Sequence, residues 1–167
     1  MKRIYLAGGC FWGTEHFLKQ FDGVKQTTVG FANGTTAHPT YQEVCHNHTG
    51  HAECVEVLFD ENEIHAEELL RYYFMTIDPL SVNRQGGDVG TQYRTGIYYD
   101  DVSLLPAIET VIAEQEQKAG QKLAVEVGPL QNFYEAEEYH QDYLVKNPGG
   151  YCHIPVSLMH LKKYGVK

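Results

Sequence analysis

Val24-Lys25-Gln26-Thr27-Thr28-Val29-Gly30-Phe31-Ala32 and Glu53-Cys54-Val55-Glu56-Val57-Leu58-Phe59 both read as strands. The first is rich in β-branched residues and ends at Asn33-Gly34, a turn signal. The second alternates apolar and polar side chains, as a half-buried strand does. Between them, Thr35 to Gly50 is polar and histidine-rich, with little periodicity. A parallel pair needs a crossover, usually a helix, and none is evident here. The expectation is therefore α+β rather than a doubly wound parallel sheet. More closely, it is a two-layer α/β sandwich around a mixed β-sheet, with a ferredoxin-like core, extensions and an irregular C-terminal tail.

Upstream, Ile4-Tyr5-Leu6-Ala7 is a short apolar run that reads as a strand. Phe17, Leu18 and Phe21 recur at helical spacing in the stretch that starts at Thr14. The join between them is Gly8-Gly9-Cys10-Phe11-Trp12-Gly13. Downstream, a helix is expected from about Ile64 to Phe74, then a long loop from Asp78 to Gln92, then a strand at Thr95–Tyr99. Next come a helix capped by Ser103 and stopped by Gly120, a strand at Leu123–Val127, and weakly striped helical content from Tyr134 to Val145. Asn147-Pro148-Gly149-Gly150 breaks that last segment. One catalytic domain is expected over 1–167, with 147–167 as its tail.

The 167 residues suffice for one sizeable core. A net charge of −9, without a lysine or arginine run, argues against nucleic acid or an anionic membrane as partner. The apolar run after Met1-Lys2-Arg3 is too short for a signal peptide, and no stretch is long enough to span a membrane. Four cysteines are too few for a disulfide scaffold. The expected compartment is the cytoplasm, where free cysteines point to catalysis or burial.

Cys10 is expected at a strand-to-helix junction, where unpaired backbone amides and the helix dipole favour a thiolate. The alternative is a cysteine that merely packs at a turn. Cys45, His46, His48, His51 and Cys54 suggest zinc, but their spacing is poor and Glu53 and Cys54 should face opposite sides of a strand. No metal is expected. His51-Ala52-Glu53 matches half of a zinc deaminase signature, whose Pro-Cys partner is absent. Glu53 is either a solvated strand-end charge or a desolvated, protonated carboxyl able to give a proton. Beside Cys10 it would share a proton with the thiol. Tyr41 and Tyr93, in polar irregular segments, could donate hydrogen bonds into a site.

Taken together, five motifs resemble the peptide methionine sulfoxide reductases of the A type. They are Gly9-Cys10-Phe11-Trp12-Gly13, Thr40-Tyr41-x-x-Val44-Cys45, Thr49-Gly50-His51-Ala52-Glu53, Asp88-x-Gly90-x-Gln92-Tyr93-Arg94, and Asn147-Pro148-x-Gly150-Tyr151-Cys152. They occur in the family's order over nearly the whole chain. The resemblance implies reduction of the S epimer of methionine sulfoxide, free or in proteins, with thioredoxin as reductant and no metal or organic cofactor. It implies Cys10 as nucleophile and Phe11 and Trp12 as an apolar cage for the substrate methyl. Glu53, Tyr41 and Tyr93 would bind and protonate the sulfoxide oxygen, Asp88 would help place the substrate backbone, and Cys152 would recycle Cys10 through a disulfide. Some relatives carry a second recycling cysteine. None follows Cys152 here, so direct reduction of the Cys10–Cys152 disulfide is expected. Two other readings are a redox-sensing thiol protein and a zinc-binding module.

Overall fold

The computed structural model describes residues 1–164. The strands are β1 (Lys2–Gly8), β2 (Val24–Ala32), β3 (Ala52–Phe59), β4 (Arg84–Gln85), β5 (Asp88–Val89), β6 (Thr95–Tyr99), β7 (Glu126–Pro129) and β8 (Phe133–Glu135). The helices are α1 (Phe11–Leu18), α2 (Tyr41–His46), α3 (Ala66–Phe74), α4 (Leu105–Ala119) and α5 (Tyr143–Lys146). The central sheet runs β7-β6-β1-β3-β2-β8, while β4 and β5 form a separate hairpin. The β6–β7 pair is parallel and the other pairs are antiparallel, so the sheet is mixed.

Alternation along the strands divides the core. Ile4, Leu6, Val29, Phe31, Val55, Val57 and Phe59 are fully buried and join Phe17, Leu18, Leu69, Leu70 and Ile108 of the helices. The next residues in register, Tyr5, Ala7, Ala32, Ala52, Cys54 and Tyr98, form a smaller cluster closed by Leu130 and Phe133. Each fully buried Leu or Phe contributes roughly 1.5–3 kcal/mol, so the helix-covered face holds most of the stabilisation. β2 and β3 pair directly and antiparallel, Val29 opposite Val55 and Phe31 opposite Glu53, within the mixed sheet expected from the sequence.

Several segments differ from the sequence reading. Within 35–50 lies α2, six residues capped by Thr40, whose side chain accepts from the Glu43 amide while Glu43 answers to the Thr40 amide. This capping box was present in the sequence as Thr-x-x-Glu, but so short a helix carries no apolar stripe. The helical content expected from Tyr134 to Val145 is instead the edge strand β8, a 3-10 turn at Glu138–His140 and the four-residue α5. Here pairing with β2 overrides local propensity. The strand expected at Leu123–Val127 starts later, as β7, and Asp101 rather than Ser103 caps the turn leading into α4. The tail crosses back over α1, and the last three residues of the expected 147–167 span lie outside the described residues.

Candidate active site

Cys10 is the N-cap residue of α1, directly after the central strand β1. Two constraints meet at Gly9. Its φ of +87° is left-handed, and a Cβ there would lie 2.8 Å from Gln85 Cβ. The β1–β3 register, Leu6 opposite Val55, carried further along the strands sets Glu53 opposite Gly8. A helix start and a strand end thus bring the thiol and the carboxyl together from distant parts of the chain.

Glu53 is 1% exposed. Its Oε1 accepts the Phe11 amide at 3.1 Å, and its Oε2 is buried without a hydrogen-bond partner. Burial pushes its carboxyl up to about 8, with Asp88 adding to the rise and the Phe11 amide opposing it. Glu53 is therefore protonated at neutral pH, not a solvated strand-end charge. Cys10 departs from expectation. Backbone amides of Trp12 and Gly13 do favour its thiolate, but burial and the neighbouring Glu53 outweigh them and hold the thiol well above its ordinary value. In the resting site both groups keep their protons.

Phe11 is buried and Trp12 half-buried. The indole stacks on Tyr143 with centroids 3.7 Å apart and planes 10° from parallel. Its Nε1–H donates to His140 Nδ1 at 3.0 Å. His140 also packs on Tyr41 and Phe11, at 4.3 and 5.4 Å between ring centroids. Burial lowers its pKa, so the ring is neutral, and the bond from Trp12 sets the remaining proton on Nε2. The sequence reading missed both His140 and Tyr143. Neither follows a motif spacing or a helical stripe, and their signal lies only in contact with α1.

Tyr41 opens α2, where its amide donates to the Glu137 carboxylate at 3.2 Å. Its hydroxyl interacts with Cys45 and lies within electrostatic reach of Glu53. Tyr93 closes the 3-10 turn Thr91–Tyr93 and feels Glu53, Cys45, Asp88 and Cys10. Burial raises both phenols, which therefore stay as O–H donors. Asp88 sits in β5, and its Oδ2 accepts the Tyr151 hydroxyl at 3.1 Å. Cys152 is half-buried on α1, and burial raises its thiol too. It also lines an apolar groove of about 420 Å³ with Leu144, Val145, Ile154, Val156 and Met159.

The histidine-cysteine cluster does not converge. Cys54 is buried on the far face of the sheet. His51 Nε2 pairs with the Thr36 carbonyl at 2.7 Å, its ring filling the space a side chain at Gly34 would need. His46 and His48 are exposed. Among the described residues no three His, Cys, Asp or Glu side chains are grouped to hold a metal. Nor is any described helix long and apolar enough to cross a membrane.

What the arrangement can do is bounded by its parts. A protonated acid with one uncommitted oxygen stands beside a thiol. Two phenols and an aromatic wall surround them, and a second thiol approaches on the tail. Comparison with known proteins places nearly the whole chain in a family. The family model for peptide methionine sulfoxide reductase matches residues 2–165. A peptide methionine sulfoxide reductase MsrA from Lachnoclostridium phytofermentans is 57% identical over 153 residues, 92% of each chain. Mxr1 from Saccharomyces cerevisiae in reduced form superposes with a TM-score of 0.85 at 40% identity, covering 90% of this chain and 88% of that one. The same yeast protein in complex with Trx2 matches with a TM-score of 0.61 at 30% identity, over 85% and 84%. The chain belongs to the peptide methionine sulfoxide reductase family.

Proposed function

We propose that Cys10 attacks the sulfur of a methionine S-sulfoxide while Glu53 delivers a proton to the leaving oxygen. The enzyme is a thiol-dependent peptide-methionine (S)-S-oxide reductase. The observation that carries the residue assignment is the buried Glu53, tied through one oxygen to the first amide of α1 and left with the other free. Tyr41 and Tyr93 hold the sulfoxide oxygen, Phe11 and Trp12 enclose the methyl group, and Asp88 takes the substrate backbone. Asp88 now accepts from Tyr151, so substrate docking exchanges that hydroxyl for a substrate donor.

Atoms balance across the cycle. In the first step Cys10–SH and the sulfoxide give a thioether and Cys10–SOH, the oxygen moving from substrate to enzyme sulfur. In the second, the Cys152 sulfur displaces that oxygen. An S–S bond forms, an S–O bond breaks and water leaves. In the third, a dithiol reductant exchanges with the disulfide. Thioredoxin is that reductant, a reading supported by the yeast relative solved with Trx2. The groove beside Cys152 gives such a partner a route to the sulfur.

Epimer choice follows from the same contacts. Burying one methyl is worth only about 1 kcal/mol. Leaving Glu53, Tyr41 and Tyr93 unpaired when the wrong face is presented costs more. The raised Cys10 thiol is poorly nucleophilic at rest, which suits an enzyme working among oxidants.

The order β6-β1-β3-β2 supports a ferredoxin-like description of the core, with β7 and β8 as edge extensions. We take residues 1–167 to act as one catalytic unit whose tail carries the recycling cysteine. We place the protein in the cytoplasm, where reducing conditions keep thiols such as Cys10 and Cys152 available for the cycle. The test is Cys152→Ser. Mixed with the S-sulfoxide alone, it should release about one methionine per chain at the parent rate, and thioredoxin-driven turnover should stop. Undiminished turnover would remove Cys152 from the cycle.

A further inference from the structure

Gly13 sits in the first turn of α1 and is buried. Glycine is among the poorest residues for a helix, so its presence there calls for a reason. A Cβ built at Gly13 would lie 2.9 Å from Cys152 Sγ and 3.3 Å from Ile154 Cδ1, with Ile154 Cγ1 next at 3.6 Å. All three of these nearest atoms belong to the tail. None belongs to the sheet, to the aromatic cage or to the rest of the core. The nearest occupants of that space are the tail's.

Its position on the helix gives that space a purpose. Gly13 follows Cys10 by three residues, so the two share a face, and side chains on a helix lean back toward its N-terminus. The Cys152 sulfur lies against α1 beside Gly13, where a side chain at that position would meet it. We propose that Gly13 is a positioning residue for the second step, a notch that seats the Cys152 thiol for attack on Cys10–SOH. The proposal rests on the roles assigned above to Cys10 and Cys152. The reaction it serves forms the S–S bond, breaks the S–O bond of the sulfenic acid and releases water.

A methyl group in the notch would push the sulfur aside, and a misplacement of about 1 Å can cost ~10²-fold in rate. The experiment is rapid mixing of Gly13→Ala with the S-sulfoxide and no reductant. Methionine release should stay within about twofold of the parent, because the substitution keeps the Gly13 amide that favours the Cys10 thiolate and the nearest atoms to the new methyl are the tail's. Disulfide formation, followed by intact mass, should slow by at least about tenfold, and dimedone should trap the lingering sulfenic acid. Thioredoxin-driven turnover should fall with it. Adding Ile154→Ala, which opens room for the displaced thiol, should recover part of the disulfide rate.

A disulfide rate unchanged by Gly13→Ala overturns the assignment. So does a methionine burst that falls as far as the disulfide step, since the glycine would then serve the cage or the fold. The parent protein separates this from failure of the underlying reading. If mass mapping finds no Cys10–Cys152 bond after one turnover, the roles of the two cysteines fail. If the bond forms and the alanine does not slow it, the notch alone fails.

Discussion

Glu15, within α1, and Glu53, which meets its first amide, are both 1% exposed, and burial raises the carboxyl of each. They differ in what their oxygens meet. Glu15 accepts from the Thr27 hydroxyl at 2.8 Å through one oxygen and from the Asp142 amide at 2.7 Å through the other. Glu53 accepts a single bond, from the Phe11 amide, and its second oxygen has no partner. Folding buries two similar groups, satisfies one and leaves the other short. A satisfied buried carboxyl is a brace. An unsatisfied one is costly unless something else, here a guest oxygen, completes it. The brace serves the site as well. By holding the Asp142 amide, Glu15 fixes a left-handed residue (φ +54°) at the start of α5, and the next residue, Tyr143, stacks on Trp12.

The largest expected effect breaks the comparison at Glu53. Glu53→Gln keeps an oxygen for the Phe11 amide but has no acidic proton to give, so methionine formation in a single turnover should slow by roughly 10²-fold or more. Quenched-flow assays measure it, and a rate within twofold of the parent would make Glu53 a second brace.

Next comes stability. The folded state holds the Glu53 proton up to about pH 8, whereas an unfolded chain releases it near 4.3. Between those limits the unfolded state binds fewer protons, so this group makes the parent less stable as pH rises, by up to about 1.4 kcal/mol per unit. Glu53→Gln lacks that penalty. Its denaturant midpoint should match the parent's near pH 4 and exceed it at pH 7 to 8. A gap that does not widen with pH would show that Glu53 carries no raised carboxyl.

The smallest effect on chemistry belongs to Glu15. Glu15→Ala strands the Thr27 hydroxyl and the Asp142 amide, costing about 1–3 kcal/mol of stability. The single-turnover rate should change only a few-fold, through the loosened Tyr143. Equilibrium unfolding beside the burst assay separates the two carboxyls: the Glu53 variant loses rate and gains stability, whereas the Glu15 variant loses stability and nearly keeps its rate.

Much of this was legible in the residues. β1, β2, β3 and β6 announce themselves by β-branched or alternating runs, and α3 and α4 by apolar stripes and a closing glycine, Gly120, at φ +71°. Cys10 at a helix start and Glu53 opposite Cys54 across a strand followed from local periodicity. The motifs named Tyr41, Tyr93, Asp88 and Cys152, and the fold brings Tyr41, Tyr93 and Asp88 within electrostatic reach of Glu53. What stayed hidden is tertiary. The sign of the Cys10 shift depends on burial and on a carboxyl forty-three positions away, against a helix end that alone argues the other way. His140 meets Trp12 across a separation of 128 positions, and Glu15 looks like any polar residue of a short helix until Asp142 is folded onto it.

Trp12 is the sole tryptophan of the chain, and it lies face to face with Tyr143 while its indole N–H is held by His140. The protein therefore carries one indole fluorophore, two residues from Cys10. Selective excitation of the indole should report changes around Cys10, so substrate docking and the movement of the tail can be followed without attaching a dye.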